Sequence, residues 1–164
     1  MDNVGAPAIT TKILQFLREI GLEARPGPTG PDTVLPGIDI RDGALIWDEA
    51  RLKHPGDLLH EAGHLALKAP AARAQTTHST GDDPGEEMAA IAWSYAAALH
   101  LGFSPGVVFH SEGYNGGSAA LIEIFAAKRY LGVPLLAYYG LTENPPRRSE
   151  INPRAYPVMA KWVR

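Results

Sequence analysis

"LLHEAGHLAL", Leu58 to Leu67, carries two histidines and a glutamate spaced His60-Glu61-x-x-His64. At ~3.6 residues per turn, positions i and i+4 of a helix share one face. His60 and His64 can therefore turn two imidazoles towards one ion. Glu61 is rotated ~100° from His60 and stands beside that face rather than on it. It can reach a water held by the ion without displacing it. A divalent metal lowers the pKa of such a water towards ~7, and a neighbouring glutamate takes its proton. Leu58, Ala62, Leu65 and Ala66 lie on the opposite side of the same helix and read as core. Gly63, beside the metal face, allows another backbone to come close. A solvent-facing helix would carry such histidines for no chemical purpose. In an apolar helix, burying them unpartnered is costly, and that favours a metal site.

The residues around this helix set the fold class. "ITTKILQFLREIG" places Ile9, Ile13, Phe16, Leu17 and Ile20 at helical spacing, which predicts a helix over 8–20 ended by Gly21. "RPGPTGP" reads as a loop. Asp42-Gly43 between "GIDI" and "ALIW" is a hairpin signal, and Pro36 marks an edge or bulge. The His-Glu-x-x-His helix is expected to start near Pro55 and to end before Pro70. "APAARAQTTHSTGDDPG" reads as a mobile loop. Helices are then predicted over 84–100 and 118–131, with a long irregular connection between them. The expected class is α+β: a small sheet with a hairpin, packed against a helix bundle that carries the His-Glu-x-x-His helix. The 164 residues suit one domain, with a core over about 8–140. Residues 141–164 read as a poorly ordered tail rich in Pro and Arg, with room for a last short helix. Arg147 and Arg148 belong to that solvated tail.

Composition removes several function classes. The chain has no cysteine, so thiolate metal sites and thiol nucleophiles are out. A net charge of −3 leaves no basic footprint for nucleic acid. No apolar run approaches the ~18 residues of a membrane span, and the first residues lack a secretory pattern. The expected location is the cytoplasm, with no membrane partner.

A catalytic zinc takes three protein ligands and one open position. A third histidine six residues after His64 is ruled out, because Pro70 stands there. A carboxylate on a later helix is the remaining choice. "DDPGEEMAAIAWSYAAALHLG" opens such a helix with two glutamates. Asp83-Pro84-Gly85-Glu86 has the form of a capping box, which accounts for Glu86 locally. Glu87 has no such local role and shares a face with Ala90, Ile91 and Ser94. Glu87 is taken as the third ligand, with Glu86 as the alternative. Should both fail, His78, Asp82 and His110 come next. The "FHSEGYNGGS" loop holds His110 and Tyr114, candidate donors to the oxyanion of a hydrolytic transition state, against a plain reading as loop and capping residues. His54, His78 and His100 read as structural or solvated.

With these residues in place the chain resembles the gluzincin type of zincin metallopeptidase. More narrowly, it resembles the ImmA/IrrE-type metallopeptidase-like domains. The likeness rests on "ALIWDEARL" ahead of "LLHEAGHLAL", then on Glu87, Ala90, Trp93 and Ser94 in "EMAAIAWSYAAALHL". It covers about residues 9–102, and the chain departs from the family pattern after Leu101. The resemblance implies a zincin fold, one Zn2+ per chain, and a small metallopeptidase acting on a protein or peptide, in some members a transcriptional regulator. The competing expectation is a non-catalytic, regulatory metal-binding module that works through a protein partner. A retained Glu61 argues against it, since a structural site needs no base.

Overall fold

The computed structural model describes residues 5–33, 35–147 and 150–164. Arg148 lies outside the described residues. The class is α+β, with a three-stranded mixed sheet and several helices. Helix α1 (Ala6–Glu19) buries Ile13, Phe16 and Leu17. It stops where Gly21 takes φ +82°, a conformation that suits glycine.

Strands β2 (Ile38–Arg41) and β3 (Ala44–Trp47) form the hairpin expected from Asp42-Gly43. Both turn residues have positive φ, 51° and 77°, as a two-residue type I′ turn requires. Pro36 lies in a tight turn ahead of β2, where Ile38 N–H donates to Leu35 O, and β2 is an edge strand.

Strand β1 (Ala24–Pro26) corrects the expectation of a loop from Arg25 onward. It pairs in parallel with β3, through Leu45 N–H to Glu23 O and Gly27 N–H to Trp47 O. A strand ending in proline is tolerated because β1 is also an edge, and its outer side needs no donor.

Helix α2 (Asp57–Leu67) carries the two histidines and is buried over most of its length. Its first turn is preceded by the turn at Pro55-Gly56, so the proline sits two residues outside the helix. The stretch read as a mobile loop contains a short helix α3 (Pro70–Ala74). Beyond α3, the chain at Thr76–His78 is bonded to the hairpin.

Helix α4 (Pro84–His100) agrees with expectation. Ala89 to Ala98 are all buried, and this run of small residues lets α2 pack close. At Gly63 the approach is tightest. A Cβ there would lie 3.0 Å from Ala90 O and 3.3 Å from Ala90 Cα.

Gly63→Ala brings two effects into opposition. Helix propensity favours alanine by about 1 kcal/mol. Overpacking against backbone that cannot rotate away costs about 1–3 kcal/mol. The second is expected to win, lowering stability by about 1 kcal/mol as α4 is pushed outward. Urea unfolding checks this. A variant as stable as the parent would show that the α2–α4 spacing has slack.

Helix α5 (Ser118–Ala126) ends earlier than the expected Leu131. Lys128 turns to φ 57°, and Arg129 N–H closes back onto Ile124 O. A further helix α6 (Val133–Tyr138) follows Gly132. The C-terminal segment is not a loose tail, and its described residues form no last helix. Tyr156 is buried and donates its hydroxyl to Ala92 O at 2.7 Å. Trp93 Nε1–H donates to Trp162 O, and Arg164 N–H to Ala66 O. Prolines 153 and 157 bar a helix here, and the aromatic side chains bury themselves against α4 and α1 instead.

Candidate metal centre

Helix α2 is held against α4 with His60 and His64 on its α4 side and Glu87 in the first turn of α4. Asp83 caps that turn by accepting from Glu86 N–H at 2.8 Å. The carboxylate of Glu86 reaches Lys68 Nζ at 3.8 Å. The cap therefore belongs to Asp83, and Glu86 points away from the histidines.

His60 Nε2 and His64 Nε2 lie 3.2 Å apart. Glu87 Oε1 is 3.4 Å from His60 Nε2, and Glu87 Oε2 is 2.8 Å from His64 Nε2. These three residues form a group close enough to hold a metal ion. The donor set can be tested against tetrahedral geometry. Ligand bonds of ~2.0–2.1 Å place neighbouring donor atoms about 3.3 Å apart. The His60–His64 edge, at 3.2 Å, meets that spacing. Glu87 turns a different oxygen to each histidine, and one of them would have to settle on an ion shared with both. Two imidazoles and one carboxylate suit zinc, and they also suit manganese, cobalt or iron.

Glu61 lines the same cavity of about 790 Å3 as these ligands. Burial raises its pKa, the two histidines pull it down, and the charges of Glu87 and Asp57 push it up again.

The cluster is electrostatically coupled even without an ion. Burial opposes charge on His60, but the hydrogen bond and charge of Glu87, with Glu61 and Asp57 nearby, raise its pKa above 6.5. Hydrogen bonds from His60 and His64 hold Glu87 well below the usual carboxylate range.

In the metal-free protein the depressed Glu87 contributes stability that is present above pH 4.5 and is lost as pH falls through its folded value. The raised His60 contributes stability that is complete below pH 6.5 and is lost as pH rises through its folded value. The pair should therefore help the metal-free fold most between those limits. Zinc requires His60 neutral, so uptake should release a proton, and affinity should rise from roughly pH 5 to roughly pH 8. Urea unfolding against pH, and calorimetry in buffers of differing ionisation enthalpy, read both effects. Zinc binding that is flat across that range would contradict the coupling.

Tyr114 and His110 both border the cavity, and each has a specific partner. The Tyr114 hydroxyl lies 3.1 Å from His60 Nδ1. An imidazole that gave Nε2 to a metal would keep its proton on Nδ1, and Nδ1–H would then donate to the tyrosine oxygen. Tyr114 and Asn115 both sit at positive φ, 54° and 52°. For a tyrosine this costs roughly 1 kcal/mol or more, and it persists here in a loop that lays the ring against His60. His110 Nε2 lies 2.8 Å from Asp57 Oδ1, and its ring stacks on His54 at 3.7 Å. His54 in turn pairs with Glu112, which also meets Lys53.

Of the remaining candidates, His78 is mostly exposed and pairs with Asp39. Asp82 lies on the cavity wall. His100 packs among Phe16 and Trp162.

Asp57 was missed in the sequence. Its spacing, three before His60 and seven before His64, placed it on the metal face, but a carboxylate in a first helical turn reads equally as a partner of the helix dipole. The pairing of His54 with Glu112 left no sequence signal, because 58 residues separate them.

No family model, no curated protein and no solved structure matches the chain. Among the described residues, no helix is long and apolar enough to cross a membrane.

Proposed function

We propose that this chain is a zinc-dependent hydrolase acting on peptide or related amide bonds, with His60, His64 and Glu87 as ligands. One observation carries the reading: two imidazole nitrogens and a carboxylate converge within 3.4 Å of one another beside the half-buried Glu61. The arrangement resembles that of gluzincins, in which a His-Glu-x-x-His helix packs on a later helix bearing a glutamate.

Bound there, zinc would polarise a carbonyl and acidify a water. Glu61, beside the ligand group, would serve as the base that takes a water proton and passes it to the leaving nitrogen. Tyr114 holds His60 in the tautomer that presents Nε2. Ile38, Ile40 and Tyr114 form part of the cavity wall around the ligand group.

Zinc analysis of freshly purified protein, followed by turnover of a broad peptide library, tests the proposal. Near-stoichiometric zinc with zinc-dependent cleavage supports it. Zinc binding with no cleavage of any library member would favour a regulatory binding module. Failure to bind zinc at all would end both readings.

A further inference from the structure

A peptide substrate can bind beside a catalytic site by adding a strand to an exposed sheet edge. Strand β2 is the edge on this cavity: Ile38, Asp39 and Ile40 line it together with His60 and Glu61. Its register settles which peptide groups face outward. Ile40 opposes Leu45, whose N–H is used towards β1. Ile40 is therefore at a non-hydrogen-bonded position relative to β3, and its N–H and C=O point away from the sheet. The same parity applies to Ile38 and Asp42.

Four of those outward groups are already taken. Ile40 N–H donates to Asp39 Oδ1 at 2.8 Å, and Ile40 O accepts from His78 N–H at 2.8 Å. Asp42 N–H donates to Thr77 Oγ1, and Ile38 N–H donates to Leu35 O. Gly43 N–H, at the turn, donates to Thr76 O. The segment Thr76–His78 thus runs along the edge where an incoming strand would lie.

Asp39 fastens the segment. Its carboxylate is buried and also receives His78 Nδ1 at 2.9 Å and Arg41 Nε at 3.0 Å. His78 adopts φ 62°, which bends the chain back towards the cavity wall formed by residues 78–83.

We infer that Thr76–His78 is a strap that closes the edge of β2, so that the site takes a chain terminus or a compact amide entering end-on, and not an extended peptide laid along β2. The inference rests on the hydrolase reading for its substrate, while the closed edge stands on hydrogen bonds alone. The cavity size agrees, because about 790 Å3 falls in the range of sites for compact ligands. Asp39, Thr77 and His78 become specificity-determining residues rather than surface polar groups.

The test titrates an extended hexapeptide amide into the full chain, with and without zinc, and follows backbone amide signals of Ile38, Ile40, Asp42 and His78 by NMR. Peptide hydroxamates of one, two, four and six residues are titrated into the zinc form in parallel. In wild type the hexapeptide should leave these amides unmoved, and hydroxamate affinity should stop rising beyond two residues. In Thr77→Ala/His78→Gly the Asp42 amide, which Thr77 Oγ1 holds, should exchange with solvent at least tenfold faster. The hexapeptide should then shift the Asp42 and Ile40 amides, and hydroxamate affinity should climb tenfold or more from two to six residues. If the double variant folds poorly, Asp39→Asn loosens the same strap with little change of shape.

Saturable shifts of Ile40 in wild type, or the same length dependence in wild type and strap variants, would overturn the inference. If the protein takes up no zinc, that titration removes the hydrolase reading. The hexapeptide arm on the metal-free chain still decides whether the edge is closed.

Discussion

Glu87→Ala is expected to weaken zinc binding by about a hundredfold or more while leaving the fold intact. Glu87 is the one anion of the ligand set and the one ligand supplied by α4. Without it, two neutral imidazoles on α2 must hold a dication with water in the third place. Zinc held there would bind the native state and stabilise it by linkage. At saturating metal, a hundredfold loss of affinity removes about 2.7 kcal/mol of that stabilisation. Thermal unfolding of the variant with zinc should therefore approach that of the metal-free protein.

Glu86→Ala is the control. The cap of α4 is Asp83 Oδ1 accepting from the Glu86 backbone, which alanine keeps. The variant loses only a partly exposed pair with Lys68, worth about 0–1 kcal/mol. Zinc affinity should stay within about threefold of the parent. Zinc retained by Glu87→Ala and lost by Glu86→Ala would reverse the ligand assignment. His60→Ala and His64→Ala should each behave like Glu87→Ala, since each removes one corner of the same triangle.

Glu61→Gln should separate binding from chemistry. Glu61 shares the cavity with the ligands but is not one of the three. Glutamine has the same size, so the metal and the fold should both be kept. It cannot accept the proton from water, and removal of a general base typically costs about 10²–10⁴ in rate. Burial and neighbouring carboxylates raise the pKa of Glu61, and two histidines oppose the rise. A cation on the ligand triangle would add to the opposing side and favour an ionised base near neutral pH. The measurement is turnover of whichever library peptide the wild type cleaves, beside zinc content of both proteins. Equal turnover would remove Glu61 from the mechanism.

The helical pairing of His60 with His64, the hairpin turn and the start of α4 were all legible along the chain. Each is decided within a few residues. An i, i+4 spacing aligns two side chains whatever surrounds them. Asp42-Gly43 takes positive φ with little strain. Asp83-Pro84 begins a helix by local hydrogen bonding and a pre-set φ. Glu87 was legible by contrast with Glu86, to which the sequence assigned a capping-box role, although in the structure Asp83 makes the cap and the Glu86 carboxylate meets Lys68. The group His60–His64–Glu87 then formed as that reading required.

Other features had no local cause. Ala24–Pro26 is a strand only because β3 offers Leu45 N–H and Trp47 O on its free side, about 20 residues away along the chain. Thr76–His78 looked like loop because its composition is that of a loop. Its order comes from Asp39 and Ile40 across the hairpin. The C-terminal segment has the prolines of a loose tail, yet Tyr156 and Trp162 find burial on α4 that no pattern within the segment foretells. Tyr114 was one of two candidate donors in its loop, set against a plain reading as loop and capping residues. Only the packing of that loop on α2 put its hydroxyl on His60 Nδ1. The amino-acid sequence by itself determined the helix that turns His60 and His64 to one side and pointed to Glu61 and Glu87 beside them, because short-range periodicity and capping act before the chain is folded. The tertiary structure alone decided the third strand, the closed edge and the tyrosine beside His60, because each is a hydrogen bond between segments far apart in the chain, available only after the core has brought them together.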